Sequence, residues 1–209
     1  MLQIGFKVSA LAGFLSHSET MCFFERAAVR AGLPLRYSQG FNPRPRISLP
    51  LPRSVGVQSD AELFCVEVEG GTELDCQNLK DRLAAQMADG FVLDSVKITE
   101  SKKTPQPVSV SYRFTLKEDF PVAGLSVQIN ELLASDTAIG TRVAKKNGRT
   151  RHVDVRGFID SIELSDRCVT VKCNVSPFGT IRIDEIQALI GLPTEQLAEP
   201  VRRVEVVWK

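Results

Sequence analysis

Residues 2–9 read LQIGFKVS, an alternation of apolar and polar side chains that opens the fold. The apolar positions are Leu2, Ile4, Phe6 and Val8. Side chains two residues apart lie on the same face of a β-strand. The spacing therefore predicts a strand with one buried face at the start of the chain.

A helix is predicted to follow this strand. Ser16-His17-Ser18-Glu19 has the form of a capping box, in which the hydroxyl of Ser16 caps the helix start and Glu19 reaches back to it. Apolar residues at positions 24, 27, 28 and 31 then recur at helical spacing. Gly32 and Pro34 end the pattern.

The same two periods continue to residue 99 and predict a β-α-β-β-α-β order. After the first strand and helix they indicate a short strand within 47–51, a strand at 62–69, a helix at 74–88 and a strand at 91–99. This order is that of a ferredoxin-like unit.

The order then repeats in the second half. Strands are predicted at 108–116, 138–144, near Ile162, at 168–175 and at 201–208, and helices at 122–134 and 183–190. We therefore expect an α+β protein of two tandem ferredoxin-like units with antiparallel sheets. The first unit is predicted at 1–100 and the second at 108–209, with a short basic linker at 101–107 between them.

Composition excludes several classes of protein. The chain of 209 residues has 26 basic and 25 acidic residues, a net charge of +1, so it is not a uniformly basic nucleic-acid binder. No apolar run approaches the ~20 residues that span a bilayer, and the first ten residues lack a signal peptide, so we expect a cytoplasmic protein with no membrane contact. Five scattered cysteines without a C-x-x-C pair, and only two histidines, predict no metal site, no disulfide framework and no cofactor.

Positive charge is nevertheless concentrated in two segments. Six arginines lie between positions 26 and 53, and six basic residues lie between positions 142 and 156. Two local basic segments on a neutral protein favour a polyanion bound at one face. The alternative is two solvated loops whose charge is balanced by acidic residues elsewhere.

The loop of residues 35–52 is the strongest candidate for a binding surface. Its prolines restrict the backbone, Gly40 permits a positive φ, its arginines suit phosphate, and Tyr37 and Phe41 could stack on bases. The alternative is a rigid connector whose aromatic side chains pack into the core. The candidate RNA- or anion-binding residues of the whole chain are Ser16, His17, Arg36, Tyr37, Ser38, Gly40, Phe41, Asn42, Arg44, Arg46, Arg149, Arg151 and Arg156.

The segment 145–156 is predicted to form a basic hairpin, because Asn147-Gly148 is a strong turn pair. It could contact phosphate or be a solvated hairpin tip. Asp154 is a possible catalytic carboxylate if the protein is an enzyme, but its neighbours Arg151 and Arg156 favour a structural ion pair. We find no nucleophile with a base, no close carboxylate pair and no other catalytic motif, so we expect no chemistry by this chain alone.

The first 60 residues resemble the bacterial radical-SAM-associated protein family, a domain of unknown function. The resemblance is carried by Phe14-Leu15-Ser16-His17, Phe24-Glu25-Arg26-Ala27, Ala31-Gly32-Leu33-Pro34, Tyr37-Ser38-Gln39-Gly40-Phe41-Asn42-Pro43-Arg44-Pro45-Arg46-Ile47-Ser48, Leu51-Pro52 and Val55-Gly56. It implies a partnership with a radical SAM enzyme in RNA or ribosome metabolism. The chain has no C-x-x-x-C-x-x-C, so any iron–sulfur cluster belongs to that partner. Arg44 stands where the family has histidine.

Residues 148–150 also resemble the start of the Gly-Arg-x-Asp motif of pseudouridine synthases. Arg151 occupies the position of the catalytic aspartate, and Asp154 lies three residues later. The resemblance implies a lost active site and a retained RNA-binding surface. Three hypotheses follow: an RNA-binding accessory protein, an RNA-modifying or RNA-cleaving enzyme that uses Asp154 or His17, and a protein–protein adaptor without RNA contact.

Overall fold

The computed structural model describes residues 1–70, 74–101, 103–143 and 148–209. These residues form an α+β structure with four α-helices and mostly antiparallel strands. The chain divides into two compact units, Met1–Gln106 together with Trp208–Lys209, and Pro107–Val207. None of the helices in the described ranges has the length and apolar content to cross a membrane.

The first unit has the element order β-α-β-β-α-β. In chain order its elements are β1 (Leu2–Val8), α1 (His17–Arg30), β2 (Ile47–Ser48), β3 (Gln58–Val66), α2 (Cys76–Ala84) and β4 (Phe91–Ile98). The strands lie in the order β4-β1-β3-β2, and each neighbouring pair is antiparallel. A short 3-10 turn at Ala10–Phe14 connects β1 to α1.

The core of this unit follows from the alternation in β1. All four apolar residues of that strand are buried, and its Phe6 ring lies 4.3 Å from the ring of Phe24 on α1. Phe24 in turn lies 4.9 Å from Phe64 of β3 and 5.4 Å from Phe91 of β4. Aromatic rings at these centroid distances are in direct contact. The cluster therefore holds α1 against one face of the sheet.

The predicted capping box is confirmed. The backbone N–H of Glu19 donates to the hydroxyl of Ser16 at 3.3 Å, and the N–H of Ser16 donates to the Glu19 carboxylate at 2.8 Å. These two bonds satisfy backbone donors that the first turn of α1 leaves without partners. The position of α1 is therefore set by local sequence as well as by the core.

The second unit contains the remaining elements. They are β5 (Pro107–Thr115), α3 (Val122–Ala134), β6 (Ile139–Val143), β7 (Thr150–Asp154), β8 (Ile159–Ser165), β9 (Cys168–Asn174), α4 (Ile183–Leu189) and β10 (Arg202–Trp208), of which the final residue, Trp208, belongs to the first unit. Four strands lie in the order β10-β5-β9-β8. Among the described residues, β6 and β7 pair with each other and with no further strand, in register from Ile139 with Asp154 to Val143 with Thr150.

The last two residues belong to the first unit. Gln106 and Lys209 exchange two backbone hydrogen bonds, with the Gln106 N–H donating at 2.9 Å and the Lys209 N–H at 2.8 Å. Trp208 lines a cleft of about 230 Å³ beside Gln3 of β1 and Ser95 of β4. The first unit is thus completed by residues that follow the second unit in the chain.

The strand predicted at 138–144 is present as β6, which pairs with the strand that follows the turn in a separate two-stranded sheet. Two predicted boundaries need correction. β3 begins at Gln58 rather than 62, and α2 ends at Ala84 rather than 88. The predicted turn at Asn147, with Lys145 and Lys146, lies outside the described residues.

Candidate functional site

Residues 36–46 form a narrow antiparallel ribbon, which we call the arginine ribbon. The Arg46 N–H donates to the Arg36 carbonyl at 2.8 Å, and the Ser38 N–H donates to the Arg44 carbonyl at 2.8 Å. At the base of the ribbon, the Glu67 carbonyl accepts the N–H of Arg36, and the Glu67 N–H donates to the Arg46 carbonyl, both at 2.9 Å. The ribbon therefore extends from the end of β3 with backbone bonds on both of its sides.

The tip of the arginine ribbon displays an aromatic ring. Phe41 is fully exposed, and Tyr37 is 46% exposed. Gly40 has φ of 139°, a backbone conformation that glycine adopts without strain, and the hydroxyl of Ser38 accepts the Arg44 N–H at 3.0 Å. The exposure of Phe41 excludes the alternative in which this ring packs into the core.

Two of the ribbon's arginines have free guanidinium groups. Within the described ranges, the side chains of Arg36 and Arg44 form neither an ion pair nor a hydrogen bond, and both residues are exposed. Arg46 differs, because it pairs with Glu67 at 3.2 Å. A surface pair of this kind contributes only about 0–1 kcal/mol, so it is readily exchanged for a phosphate. The neighbouring Asn42 is also exposed.

Arg53, at the end of the same basic segment, has a structural role. It is only 8% exposed. Its guanidinium donates to backbone carbonyl oxygens of two segments, the 3-10 turn and the loop that precedes β3. The acceptors are the carbonyls of Ala12, Gly13, Leu15, Ser54 and Val57. The sequence offers no sign of this role, because three of the five acceptors lie about 40 positions away in the chain.

Ser16 and His17, two further candidate residues, lie at the start of α1 and not on the arginine ribbon. Ser16 is engaged in the capping box, and its carbonyl accepts the hydroxyl of Thr20 at 2.9 Å. His17 lines a pocket of about 10 Å³ together with Arg53 and Glu62. A pocket of this size holds about one water molecule, so it is not a substrate site.

The hairpin of β6 and β7, which we call the basic hairpin, carries the second set of candidates. Arg149, Arg151 and His152 are exposed. Arg151 is the cross-strand partner of Arg142, and His152 is the partner of Thr141. This hairpin presents positive charge on a strand rather than on an irregular loop.

Arg142 does not contribute to that exposed charge. Its Nε and Nη2 donate to the two oxygens of Glu185 at 2.7 and 3.0 Å, and Nη2 also donates to the Thr180 carbonyl at 2.9 Å. Glu185 is 4% exposed; burial raises the pKa of its carboxyl, but the hydrogen bonds from Arg142 and from the Arg182 N–H hold it below its usual value. Arg142 therefore attaches the basic hairpin to the start of α4.

Gly140 makes this attachment possible. A Cβ at that position would lie 2.9 Å from a Glu185 carboxylate oxygen and 3.2 Å from a methyl carbon of Val155. Any larger residue would displace the carboxylate that Arg142 binds. The close approach of Glu185 to β6 thus depends on glycine.

Asp154 and Arg156 are held by backbone groups rather than by each other. The Asp154 carboxylate accepts the N–H groups of Ala138 and Arg156, both at 3.0 Å, and these bonds lower its pKa. The expected ion pair with Arg151 or Arg156 is absent from the pairs formed by the described residues. The Arg156 guanidinium instead donates to the carbonyls of Leu133, Ser135 and Ile159 at 2.9–3.1 Å.

These contacts decide what each candidate residue can do. Asp154 closes a turn, and Arg156 binds the last carbonyls of α3, which orders the chain between α3 and β8. In the part of the chain that the structure describes, no three His, Cys, Asp or Glu side chains are grouped as metal ligands would be. The unpaired guanidinium groups of Arg36 and Arg44 and the exposed ring of Phe41 lie on the arginine ribbon, and Arg151 is exposed on the basic hairpin, an arrangement suited to binding anions.

Comparison with known proteins identifies a family. A family model described as "uncharacterized protein conserved in bacteria (DUF2344)" matches residues 2–185. No curated protein matches the chain significantly. Among solved structures, a chain of a crystallised Cbf5–Nop10–Gar1 complex is similar at 12% identity and a TM-score of 0.46, over 98% of this chain and 48% of that one. The chain thus spans about half the length of that solved chain.

Proposed function

We propose that this chain, which belongs to the family of uncharacterized proteins conserved in bacteria (DUF2344), is an RNA-binding accessory protein. Its primary contact is the arginine ribbon, and its ligand is single-stranded RNA. The basic hairpin adds phosphate contacts through Arg149 and Arg151.

The observation that carries the proposal is the fully exposed Phe41 on the same ribbon as the unpaired guanidinium groups of Arg36 and Arg44. A solvated phenyl ring on an ordered turn gains little for the fold, because it buries no apolar surface. The same ring is a stacking surface for an unpaired base, and each stacked base contributes about 1–3 kcal/mol. The adjacent guanidinium groups suit the phosphates on either side of that base.

The catalytic hypothesis has less support. Asp154 accepts two backbone hydrogen bonds, and its lowered pKa favours a permanently ionised carboxylate rather than a proton-transfer group. His17 lines a pocket with room for about one water molecule. Asp154 therefore fits a structural role, His17 faces no cavity that would hold a substrate, and binding without chemistry is the function we propose.

We further propose that the protein acts in the cytoplasm beside a radical SAM enzyme. The support is the resemblance of the first 60 residues to the radical-SAM-associated family. The test is affinity purification of the tagged chain from its native host followed by mass spectrometry. Recovery of a radical SAM protein above an untagged control is the expected result, and its consistent absence would remove this part of the proposal.

The architecture that we propose for both units is ferredoxin-like. The first unit has the element order β-α-β-β-α-β and the strand order β4-β1-β3-β2. The second has the corresponding order β10-β5-β9-β8, with the basic hairpin inserted between α3 and β8. A crystal structure with parallel neighbours in either set of four strands would contradict this assignment.

RNA binding by the arginine ribbon is tested by salt-dependent affinity. The probe is a short fluorescein-labelled oligouridylate, and its anisotropy is titrated between about 50 and 200 mM salt. Arg44→Ala removes one phosphate contact, so we expect weaker binding and a log–log salt slope that is smaller by ~0.7.

The matched control is Arg26→Ala, which removes the same charge from an exposed position on α1. It should bind like the wild type. Equal effects of the two substitutions would indicate nonspecific charge attraction. A wild-type protein that fails to bind the probe at any of these salt concentrations would refute the proposed function.

A further inference from the structure

We propose a second single-stranded RNA contact in the second unit, at the turn of residues 176–180, with Phe178 as the side chain that stacks on a base. The inference rests on the proposed RNA binding, but it concerns residues that the arginine ribbon does not include. We call this segment the Phe178 turn.

The Phe178 turn is ordered by its own hydrogen bonds. The N–H of Ser176 and the N–H of Gly179 each donate to the other's carbonyl at 3.0 Å. The hydroxyl of Ser176 accepts the Phe178 N–H at 3.2 Å, and Thr180 donates its hydroxyl to the Asn174 carbonyl at 3.0 Å. Pro177 restricts the backbone further. The turn therefore holds its apex residue in one place.

That apex residue is a solvated aromatic ring. Phe178 is 94% exposed, and among the described residues only Phe41 is a more exposed large hydrophobic side chain. Both rings lie on short turns that contain a proline and a glycine. An ordered turn that displays a ring without burying it provides a preorganised stacking surface, because little entropy is lost when a base binds.

The Phe178 turn is joined directly to the basic hairpin. The Arg142 guanidinium donates to the Thr180 carbonyl at 2.9 Å, and Arg142 is the cross-strand partner of Arg151. The bond to Glu185 neutralises the buried carboxylate on the far side of this connection. Two exposed cations are connected to the turn. Arg182 lies two positions after Thr180 in the chain, and Arg151 is the cross-strand partner of Arg142.

This combination favours RNA over a protein partner. Protein interfaces are built around contiguous apolar patches, whereas the neighbours of Phe178 in the turn are polar groups and a proline. A single exposed ring on a turn that Arg182 follows in the chain, and that Arg142 joins to the hairpin of Arg151, suits the alternation of base and phosphate in an unpaired strand. We therefore assign the turn to RNA binding, with Arg151 and Arg182 as the phosphate contacts.

The experiment compares four variants in the anisotropy assay with labelled oligouridylate. Phe178→Ala removes the ring, Phe178→Leu keeps the apolar character without the ring, and Phe178→Trp enlarges the ring. Val127→Ala is the control, because Val127 is an exposed apolar residue on α3 of the same unit. Thermal unfolding of each variant checks that the fold is retained.

We expect the Ala and Leu variants to bind about five- to 150-fold more weakly, the range that corresponds to one lost stacking contact. The Trp variant and the Val127 control should bind at least as well as the wild type. The salt slope should not change, since no charge is removed.

Two results would overturn the inference. One is wild-type affinity in the Ala variant, and the other is restoration of affinity by leucine, which would indicate a general apolar contact. Either result obtained while Phe41→Ala weakens binding would leave the proposed function intact. Absence of RNA binding by the wild type would instead refute the proposed function itself.

Discussion

At the scale of single residues, arginine serves two opposite purposes. Arg53, Arg142 and Arg156 use their guanidinium groups to bind backbone carbonyls or a buried carboxylate. Arg36 and Arg44 hold theirs in solvent. The first group stabilises the fold, and the second group is available to a ligand.

Arg53 provides the clearest stability prediction. Arg53→Ala removes the guanidinium hydrogen bonds of five backbone carbonyls, of which those of Ala12, Gly13 and Ser54 keep a backbone N–H donor, and each buried group left unsatisfied costs about 1–3 kcal/mol. We expect the free energy of unfolding in urea to fall by about 3 kcal/mol or more. Arg53→Lys should recover only part of it, because an ammonium lacks the planar fork.

The matched comparison is Arg44→Ala, which removes a solvated guanidinium from the same basic segment. Its unfolding free energy should stay within about 0.5 kcal/mol of the wild type. An Arg44 variant as unstable as the Arg53 variant would show that the arginine ribbon supports the fold.

Glu185 predicts a pH dependence of stability. Its carboxyl has a pKa below the unfolded value of 4.5, so its contribution is present above that pH and is lost as the pH falls through the folded pKa. Glu185→Gln removes this contribution. We expect the wild type to melt at a higher temperature than the variant at pH 7, with the difference shrinking as the pH falls below 4.5. A difference that is constant across this range would contradict the ionised pairing with Arg142.

At the scale of elements, periodicity predicted most of the helices and strands and the α+β class. The predicted helix at 122–134 matches α3, and the alternation in residues 2–9 produced β1 with its four buried side chains. These features follow from local spacing. The roles of Arg53 and Arg142 depend on partners about 40 positions away in the chain, which local spacing does not encode. The pairing of β6 with β7 joins neighbouring segments, so the turn pair at Asn147-Gly148 could indicate it. Local spacing also did not decide whether Phe41 is exposed or buried, and the structure was needed to show its exposure.

Gly140 tests how the basic hairpin is attached. Gly140→Ala places a methyl group against the Glu185 carboxylate, so the bond to Arg142 must shift. We expect a loss of about 1–3 kcal/mol in unfolding free energy, the usual cost of overpacking. Gly124→Ala is the control, because Gly124 lies in α3 with no atom near its missing Cβ. That variant should gain about 0.5–1 kcal/mol, since alanine is the better helix former.

An unchanged stability of the Gly140 variant would show that the hairpin tolerates a different position of the Glu185 carboxylate. In that case the Arg142 connection to the Phe178 turn would be adjustable. The RNA affinity of the same variant would then be expected to match the wild type.

At the scale of the whole molecule, the second unit is one continuous segment that is preceded and followed by residues of the first unit. Residues 1–106 and 208–209 form one unit, and residues 107–207 form the other. Trp208 lines the cleft beside β1 and β4, so its loss should affect the first unit. The net charge of +1 shows that the basic segments are balanced by acidic residues elsewhere, so any attraction of a polyanion is confined to those segments.

Trp208→Ala tests this division. It removes about 1–2 kcal/mol of apolar contact from the cleft, and amide hydrogen exchange should accelerate by roughly tenfold in β1 and β4. Amides in β8 and β9 should exchange at nearly the wild-type rate. Equal acceleration in both sets of strands would show that Trp208 reports on the global unfolding of the chain.

The place of Trp208 and Lys209 in the first unit also constrains the order of events during translation. Domains commonly fold as they leave the ribosome, in the order of their synthesis. Here the strand pair around Gln106 and Lys209 cannot form until the ribosome has made every residue of the second unit. The nascent first unit must therefore wait, without its final contacts, while the second unit is synthesised and free to fold. A pause in translation before codon 208 would prolong that incomplete state.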